Sequence, residues 1–302
     1  MRSIFGHEKQ IAYLEQVIQN NQVKHAYLFT GPESIGKFAL AKKFAGALQC
    51  PSGYCKTCLI CQQVEKEIHP DTVFLRNSGE SLKIEEIRVL IQKTSLTFQG
   101  RFYLVVIEDI ERITEEATNA LLKTLEEPAT RVVFIFTTAS ANLILPTLLS
   151  RVQQLEFFNM SHVQLKQFLQ QQAPERNAVE LSKIIQLALG KPGLAIKLLK
   201  DPLWEQSRQQ LYEETVRFLK EEGLVEKFKY LEELTKESEK IKPFLEMLIY
   251  ILHNKLLEDL PSYNKSLIQQ IRQTEEIKNL LAQNVNKRLA LENLALEFAL
   301  PD

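Results

Sequence analysis

The sequence predicts an α/β fold with a parallel sheet in its first half and an all-helical second half, and three observations carry that expectation. Seven of the ten glycines fall within the first 100 residues, so the turns an α/β layout needs are concentrated there; only Gly190, Gly193 and Gly223 follow. The first half also holds short runs of continuous rather than alternating hydrophobicity, the pattern of strands buried on both faces. Helical patterns separate these runs, and such alternation predicts βαβ units with right-handed crossovers.

Taken in order, the strands are expected at Ala26–Thr30, Thr72–Leu75, Phe102–Ile107 and Arg131–Thr137. A helix is expected from Glu115 to Glu127, stopped by Pro128. Beyond about Phe158 the strand pattern ends. Ser161 is suited to cap a helix running through Leu169, and Ala178–Leu189 reads as another that ends at Gly190. Ala195–Leu199 continues after Lys191-Pro192-Gly193, and Asp201-Pro202 marks a boundary. Further on, Phe244, Leu248, Ile251 and Leu252 repeat at helical spacing, as do Ile277, Leu281, Val285 and Leu289.

Composition narrows the function classes. At 302 residues the chain has room for two or three domains of roughly 100–200 residues each. The net charge is −1, and residues 1–160 carry 17 basic and 17 acidic side chains, so no half has the basic excess of a protein that grips nucleic acid alone. No apolar run approaches the ~18 residues of a membrane span. The opening MRSIFGHEKQ is polar where a signal peptide would be apolar, and the cytoplasm is the expected compartment.

After the first strand comes Gly31-Pro32-Glu33-Ser34-Ile35-Gly36-Lys37-Phe38. This follows the phosphate-loop pattern G-x-x-x-x-G-K-[ST], in which backbone N–H groups surround phosphates and the lysine reaches the outer oxygens. The last position departs from it. Phe38 offers no oxygen to a metal where Ser or Thr would hold Mg²⁺. Past the third strand the order is Glu108-Asp109, the reverse of the Asp-then-Glu pair that holds metal and activates water. The reading is a loop that keeps its turn and has lost its metal ligand, with ATP and Mg²⁺ binding in doubt. Weak anion binding at the helix N-terminus is left open.

All four cysteines fall within twelve residues as Cys50, Cys55, Cys58 and Cys61. Such crowding in a cytosolic chain argues for metal rather than disulfides, and four thiolates suit structural Zn²⁺. An iron–sulfur cluster is the alternative, although the bacterial ferredoxin ending C-x₃-C-P is not matched.

Several of these stretches resemble one family. The segment Asn119–Pro128 (NALLKTLEEP), the run Leu148-Leu149-Ser150-Arg151 and the strand His25–Phe29 are similar to bacterial DNA polymerase III clamp-loader subunits of the AAA+ class. So are the cysteine module after the loop helix, His69-Pro70-Asp71 and Gly190–Gly193. Val152 stands where the family's Ser-Arg-Cys motif has cysteine. The resemblance implies an AAA+ α/β domain over residues 1–160 with a zinc module at about 50–61, a helical lid over 161–202 and a helical collar over 203–302. It also implies partners: tau/gamma-like and delta-like subunits in a five-subunit ring, with the sliding clamp and primed DNA reached through the complex and no membrane.

The departures select a branch of that family. Motor subunits would carry Ser or Thr at position 38, Asp-Glu at 108–109 and an arginine near Gly193, and this chain has none of these. The resemblance is therefore to the delta-prime branch, whose loop is often degenerate. Thr138 occupies the position that senses the γ-phosphate, and Arg151 the position of an arginine finger offered to a neighbouring subunit. Two other readings compete with this one. A motor ATPase of the same fold is disfavoured by Phe38, and a zinc-dependent nucleic-acid module by Lys56 being the one basic residue among 50–61.

Overall fold

In the computed structural model the first compact unit comprises Met1–Ser182 with Gly190–Ile196, and the second Lys183–Leu189 with Lys197–Asp302. The structure describes residues 5–94, 97–221, 223–258, 264–281 and 285–298.

The first unit runs α1 (Glu8–Gln19), β1 (Ala26–Thr30), α2 (Lys37–Gln49), α3 (Leu59–Glu65), β2 (Thr72–Leu75), α4 (Ile84–Thr94) and β3 (Tyr103–Ile107). It continues with α5 (Glu115–Glu126), β4 (Val132–Thr138), α6 (Pro146–Leu149), β5 (Gln153–Glu156) and α7 (His162–Gln172). The five strands pair in parallel in the order β2-β3-β4-β1-β5. The four expected strands are all present, each within a residue or so of its expected span.

β5 was not legible in the sequence. Its residues, Gln153-Gln154-Leu155-Glu156, are polar except for Leu155, because it is an edge strand paired only with β1 and half exposed.

Strand residues alternate between two cores, which is why both parities are apolar. Tyr27, Phe29, Leu104, Val106, Val133 and Ile135 point to one face, where they meet Leu14 of α1 and Leu40 and Phe44 of α2. Leu28, Val105, Ile107, Phe134 and Phe136 point to the other, against Ile87 and Leu90 of α4 and Leu121 and Leu125 of α5. Each fully buried side chain of this size contributes about 1.5–3 kcal/mol. Helix starts follow the sequence signals: Thr114 caps α5 by accepting the Ala117 N–H, and Ser161 and Gln164 form a capping box at α7.

Two helices carry the chain between the units, α8 (Ala178–Ala188) and α9 (Pro192–Lys200). The second unit adds α10 (Pro202–Lys220), α11 (Leu224–Lys236), α12 (Ser238–Glu258), α13 (Lys265–Leu281) and α14 (Lys287–Glu297). Asp201-Pro202 is a helix start: the Asp201 side chain accepts the Trp204 N–H and Pro202 takes the first helical position. The core holds Phe218, Leu231, Phe244, Leu248, Leu252, Ile277, Leu291 and Leu294.

One expectation is corrected here. The series Ile277, Leu281, Val285, Leu289 is not one helical face, because Asn286 accepts from Arg288 and Leu289 N–H groups and starts a new helix. Val285 precedes that cap, and Leu289 is 58% exposed. Among the described residues no helix is long and apolar enough to cross a membrane.

Candidate functional site

The phosphate loop lies where the sequence places it, between β1 and α2, and its carbonyls are bonded by the protein itself. Lys37 is buried and donates to Gly31 O at 2.6 Å and Pro32 O at 2.7 Å. Ser34 O accepts the Gly193 N–H at 2.7 Å, and the His7 ring bonds Ile35 O at 3.0 Å. Burial pushes the Lys37 amine below its ordinary pKa, opposed by the charges of Asp109, Glu111 and Glu33. Two glycines allow the close packing. A Cβ at Gly31 would stand 2.2 Å from Phe157 O, and one at Gly193 would stand 2.7 Å from Ser34 O.

At the metal position the residues do not fit Mg²⁺. Phe38 has no ligand atom, and the Arg76 guanidinium lies over its ring at 4.1 Å from the centroid. The same arginine pairs with Glu108 at 3.2 Å and Glu67 at 3.3 Å. Glu108 also accepts the Asn77 N–H at 3.1 Å, while Asp109 accepts from Asn77 Nδ2 at 2.6 Å. A fixed organic cation therefore sits on the carboxylate where a hydrolysing site would place a metal. The Thr138 hydroxyl is turned into a local bond with Ser140 O at 3.0 Å.

Arg151 belongs to the other end of the sheet. β5 pairs with β1 so that Tyr27 faces Gln153 and Thr30 faces Glu156, which sets Arg151 level with His25. Gly31 is six residues further along, about 20 Å at ~3.3 Å per residue. Arg151 donates to Thr147 O at 2.7 Å, Ser150 Oγ at 3.1 Å and Glu126 Oε1 at 2.6 Å. It lines an open surface cleft of about 590 Å³ with Lys24, His25, Glu126 and Ser150.

The four cysteines come together as a metal-ready set. Cys50 Sγ lies 3.9 Å from Cys55 and 3.8 Å from Cys58, with Cys55–Cys61 at 4.0 Å and all four within 4.8 Å. A tetrahedron with arms of about 2.3 Å has edges of about 3.8 Å, so the spacing fits four thiolates on one ion. The Thr57 hydroxyl and the Cys58 N–H hold the Cys55 thiol down at about 6, while burial pushes Cys61 up to about 12. Tyr54 props the module, donating to Glu65 at 2.6 Å over Gly46, where a Cβ would come within 2.4 Å of the ring.

The expected loop residues thus cluster at one end of the sheet, and Arg151 stands apart from them. Sequence reading missed Arg76, Glu126 and Lys24. For Arg76 a signal exists: it directly follows β2, and pairing of Leu75 with Ile107 sets it beside Glu108.

A family model described as "DNA polymerase III, delta subunit" matches residues 6–161. The delta' subunit of Pseudomonas aeruginosa is 31% identical over 220 residues, covering 70% of this chain and 67% of that protein. The delta' subunit of Bacillus subtilis is 33% identical over 144 residues, 46% of this chain and 44% of the relative. Against a gamma subunit of Buchnera aphidicola the identity is 27% over 208 residues, 66% of this chain. The chain spans 57% of that gamma subunit and 25% of the tau/gamma subunit of Haemophilus influenzae. A solved gamma-subunit-related protein of Thermotoga maritima aligns at TM-score 0.47 and 20% identity, over 95% of this chain and 98% of that one. With the family match covering the whole sheet, phosphate loop and Arg151, and the Pseudomonas relative extending it into the helices beyond, the chain belongs to the DNA polymerase III delta-subunit family.

Proposed function

We propose that this chain is a delta-prime-type subunit of a bacterial clamp loader, a non-hydrolysing member that supplies Arg151 to ATP bound on a neighbouring motor subunit. The observation that carries the reading is the separation of two features on one sheet. The loop end holds Phe38, Arg76 and a lysine tied to loop carbonyls, while Arg151 stands about 20 Å away at the opposite edge. An arginine so placed has no reach to its own loop, and in this reading it serves a neighbour's.

The chemistry follows from donor counting. A guanidinium has five N–H groups. Arg151 spends both Nη1 hydrogens on Thr147 and Ser150 and one Nη2 hydrogen on Glu126. One Nη2–H and the Nε–H are left on a fork held in place at its other corner. Such a fork meets two oxygens of a transferring phosphoryl group and stabilises the charge that develops there.

Within this reading the partners are tau/gamma-like and delta-like subunits of a five-subunit ring, acting in the cytoplasm on a sliding clamp and primed DNA. The ion held by Cys50, Cys55, Cys58 and Cys61 is zinc. It closes the module between α2 and α3 as a structural tie, because four thiolates leave no position for substrate. The test is a reconstituted clamp loader carrying Arg151→Ala. The expected result is a partial loss of DNA-stimulated ATPase and a larger loss of clamp loading; wild-type values in both would overturn the reading.

A further inference from the structure

We infer that Lys24 is a second cation of the same trans site, a phosphate-binding residue that holds the neighbour's nucleotide while Arg151 acts on the transferring group. This rests on the trans reading of Arg151 and specifies what its site contains.

The argument begins with charge placement. A shallow, open cleft of about 590 Å³ at the N-terminal edge of the sheet is lined by Lys24, His25 and Arg151. A second open cleft, about 600 Å³, shares Lys24 and His25 and adds Arg101 and Arg131. The two clefts are therefore contiguous, and Lys24 stands where they join. In a chain of net charge −1, this edge gathers three arginines, a lysine and a histidine. Glu126 is the one carboxylate among the described lining residues, and it is already paired with Arg151 at 2.6 Å. Among the described residues Lys24 makes no ion pair; its backbone N–H is fixed by the Tyr27 hydroxyl at 2.9 Å. That bond fixes the backbone of Lys24 beside both clefts, and its exposed side chain has no carboxylate partner among the described residues.

An uncompensated cation beside a neutralised pair selects an anion. A cleft with one sign of charge focuses field and raises the local concentration of the opposite sign. The ligand that the trans reading brings to Arg151 is a nucleoside triphosphate, whose phosphates extend beyond the group a single guanidinium contacts. Lysine and arginine then divide the work by their chemistry. The lysine is a mobile point charge suited to ground-state phosphate binding, and the arginine a planar fork suited to a fixed geometry. Binding that is equal in ground and transition states lowers KM, whereas a contact made only in the transition state raises kcat.

The experiment is the ATP dependence of clamp loading by reconstituted complex carrying Lys24→Ala, Lys24→Arg or Arg151→Ala. Lys24→Ala is expected to raise the apparent KM for ATP roughly five- to tenfold, with the maximal rate recovered at saturating ATP. Lys24→Arg keeps the charge and is expected to stay within about twofold of wild type. Arg151→Ala is expected to lower the maximal rate without rescue by ATP. An unchanged KM in Lys24→Ala, with Arg151→Ala impaired, overturns the inference and leaves the finger standing. Wild-type behaviour of Arg151→Ala removes the trans reading and this inference with it. Weaker DNA stimulation of Lys24→Ala at an unchanged ATP KM would assign the cleft to nucleic acid and equally overturn the proposal.

Discussion

Glu126 holds Arg151 at 2.6 Å across 25 residues of sequence, joining the end of α5 to the turn after α6. With 32% and 52% of the two side chains exposed, the pair is worth about 0–1 kcal/mol to stability. Its value is orientation, because it fixes one corner of the guanidinium.

Replacing Arg151 should therefore cost function and spare folding. Arg151→Ala is expected to shift the thermal midpoint by no more than a degree or two, within about 0.5 kcal/mol. On the trans reading one ATP site of several in the assembled loader loses its finger, so bulk DNA-stimulated ATPase is expected to fall only partly and clamp loading to fall further. A finger that is the principal stabiliser is worth about 10³–10⁵ at its own site. Arg151→Lys should behave nearly as the alanine variant, since a point charge lacks the fork. Comparing the three proteins in one reconstituted assay decides the matter.

The loop end should be catalytically silent in the isolated chain. Phe38→Thr alone is expected to restore some nucleotide binding but little hydrolysis, because Arg76 still occupies Glu108 at 3.2 Å. Phe38→Thr with Arg76→Ala should then bind Mg²⁺-nucleotide several-fold better than Phe38→Thr. Equal affinities in a fluorescent-nucleotide titration would show that Arg76 is no barrier.

For the cysteine module, elemental analysis of freshly purified, reduced protein should return one zinc per chain. Structural zinc in small modules contributes on the order of 10–16 kcal/mol of apparent binding energy. Cys58→Ala should accordingly release the metal, unfold the module locally and weaken assembly with partner subunits. Iron in the analysis, or no metal, would refute zinc.

Acidification should loosen the first unit through His69. Its Nδ1 accepts the Asp71 N–H and meets the Thr72 hydroxyl, both at 3.2 Å, at the entry to β2. Burial holds this histidine below its ordinary pKa of 6.5, despite the nearby Asp71. The unfolded chain therefore binds more protons than the folded one below pH ~6.5. The stabilisation is present in full above that value and lost as the pH falls through it towards the lower folded pKa. His69→Asn keeps an acceptor near the Nδ1 position without a titrating ring. Its thermal midpoint should vary less between pH 7.5 and 5.5 than the wild type's, and parallel curves would exclude His69 as the cause.

Local signals were legible because they are set by near neighbours. Apolar runs marked four of the five strands, Ser161 marked a helix cap, and the cysteine spacing marked four sulfurs that close on one point. The phosphate loop announced both its turn and its defect at Phe38. Where the signal was polar or divided between elements it failed: β5 is an exposed edge, and the series from Ile277 to Leu289 is interrupted by a cap at Asn286.

What the tertiary structure alone decided is which distant residues meet. Parallel pairing of β2 with β3 brings Arg76 onto Glu108, 32 positions away, and sets that pair over Phe38. Parallel pairing of β1 with β5 sends Arg151 to the edge opposite the loop and lays it beside Lys24 and Glu126. The sequence determined which chemical groups the chain carries and how each short segment turns. Their separation onto opposite ends of the sheet depends on strand order and register, which are fixed by side chains packing across the two faces of the sheet and not by any neighbour along the chain.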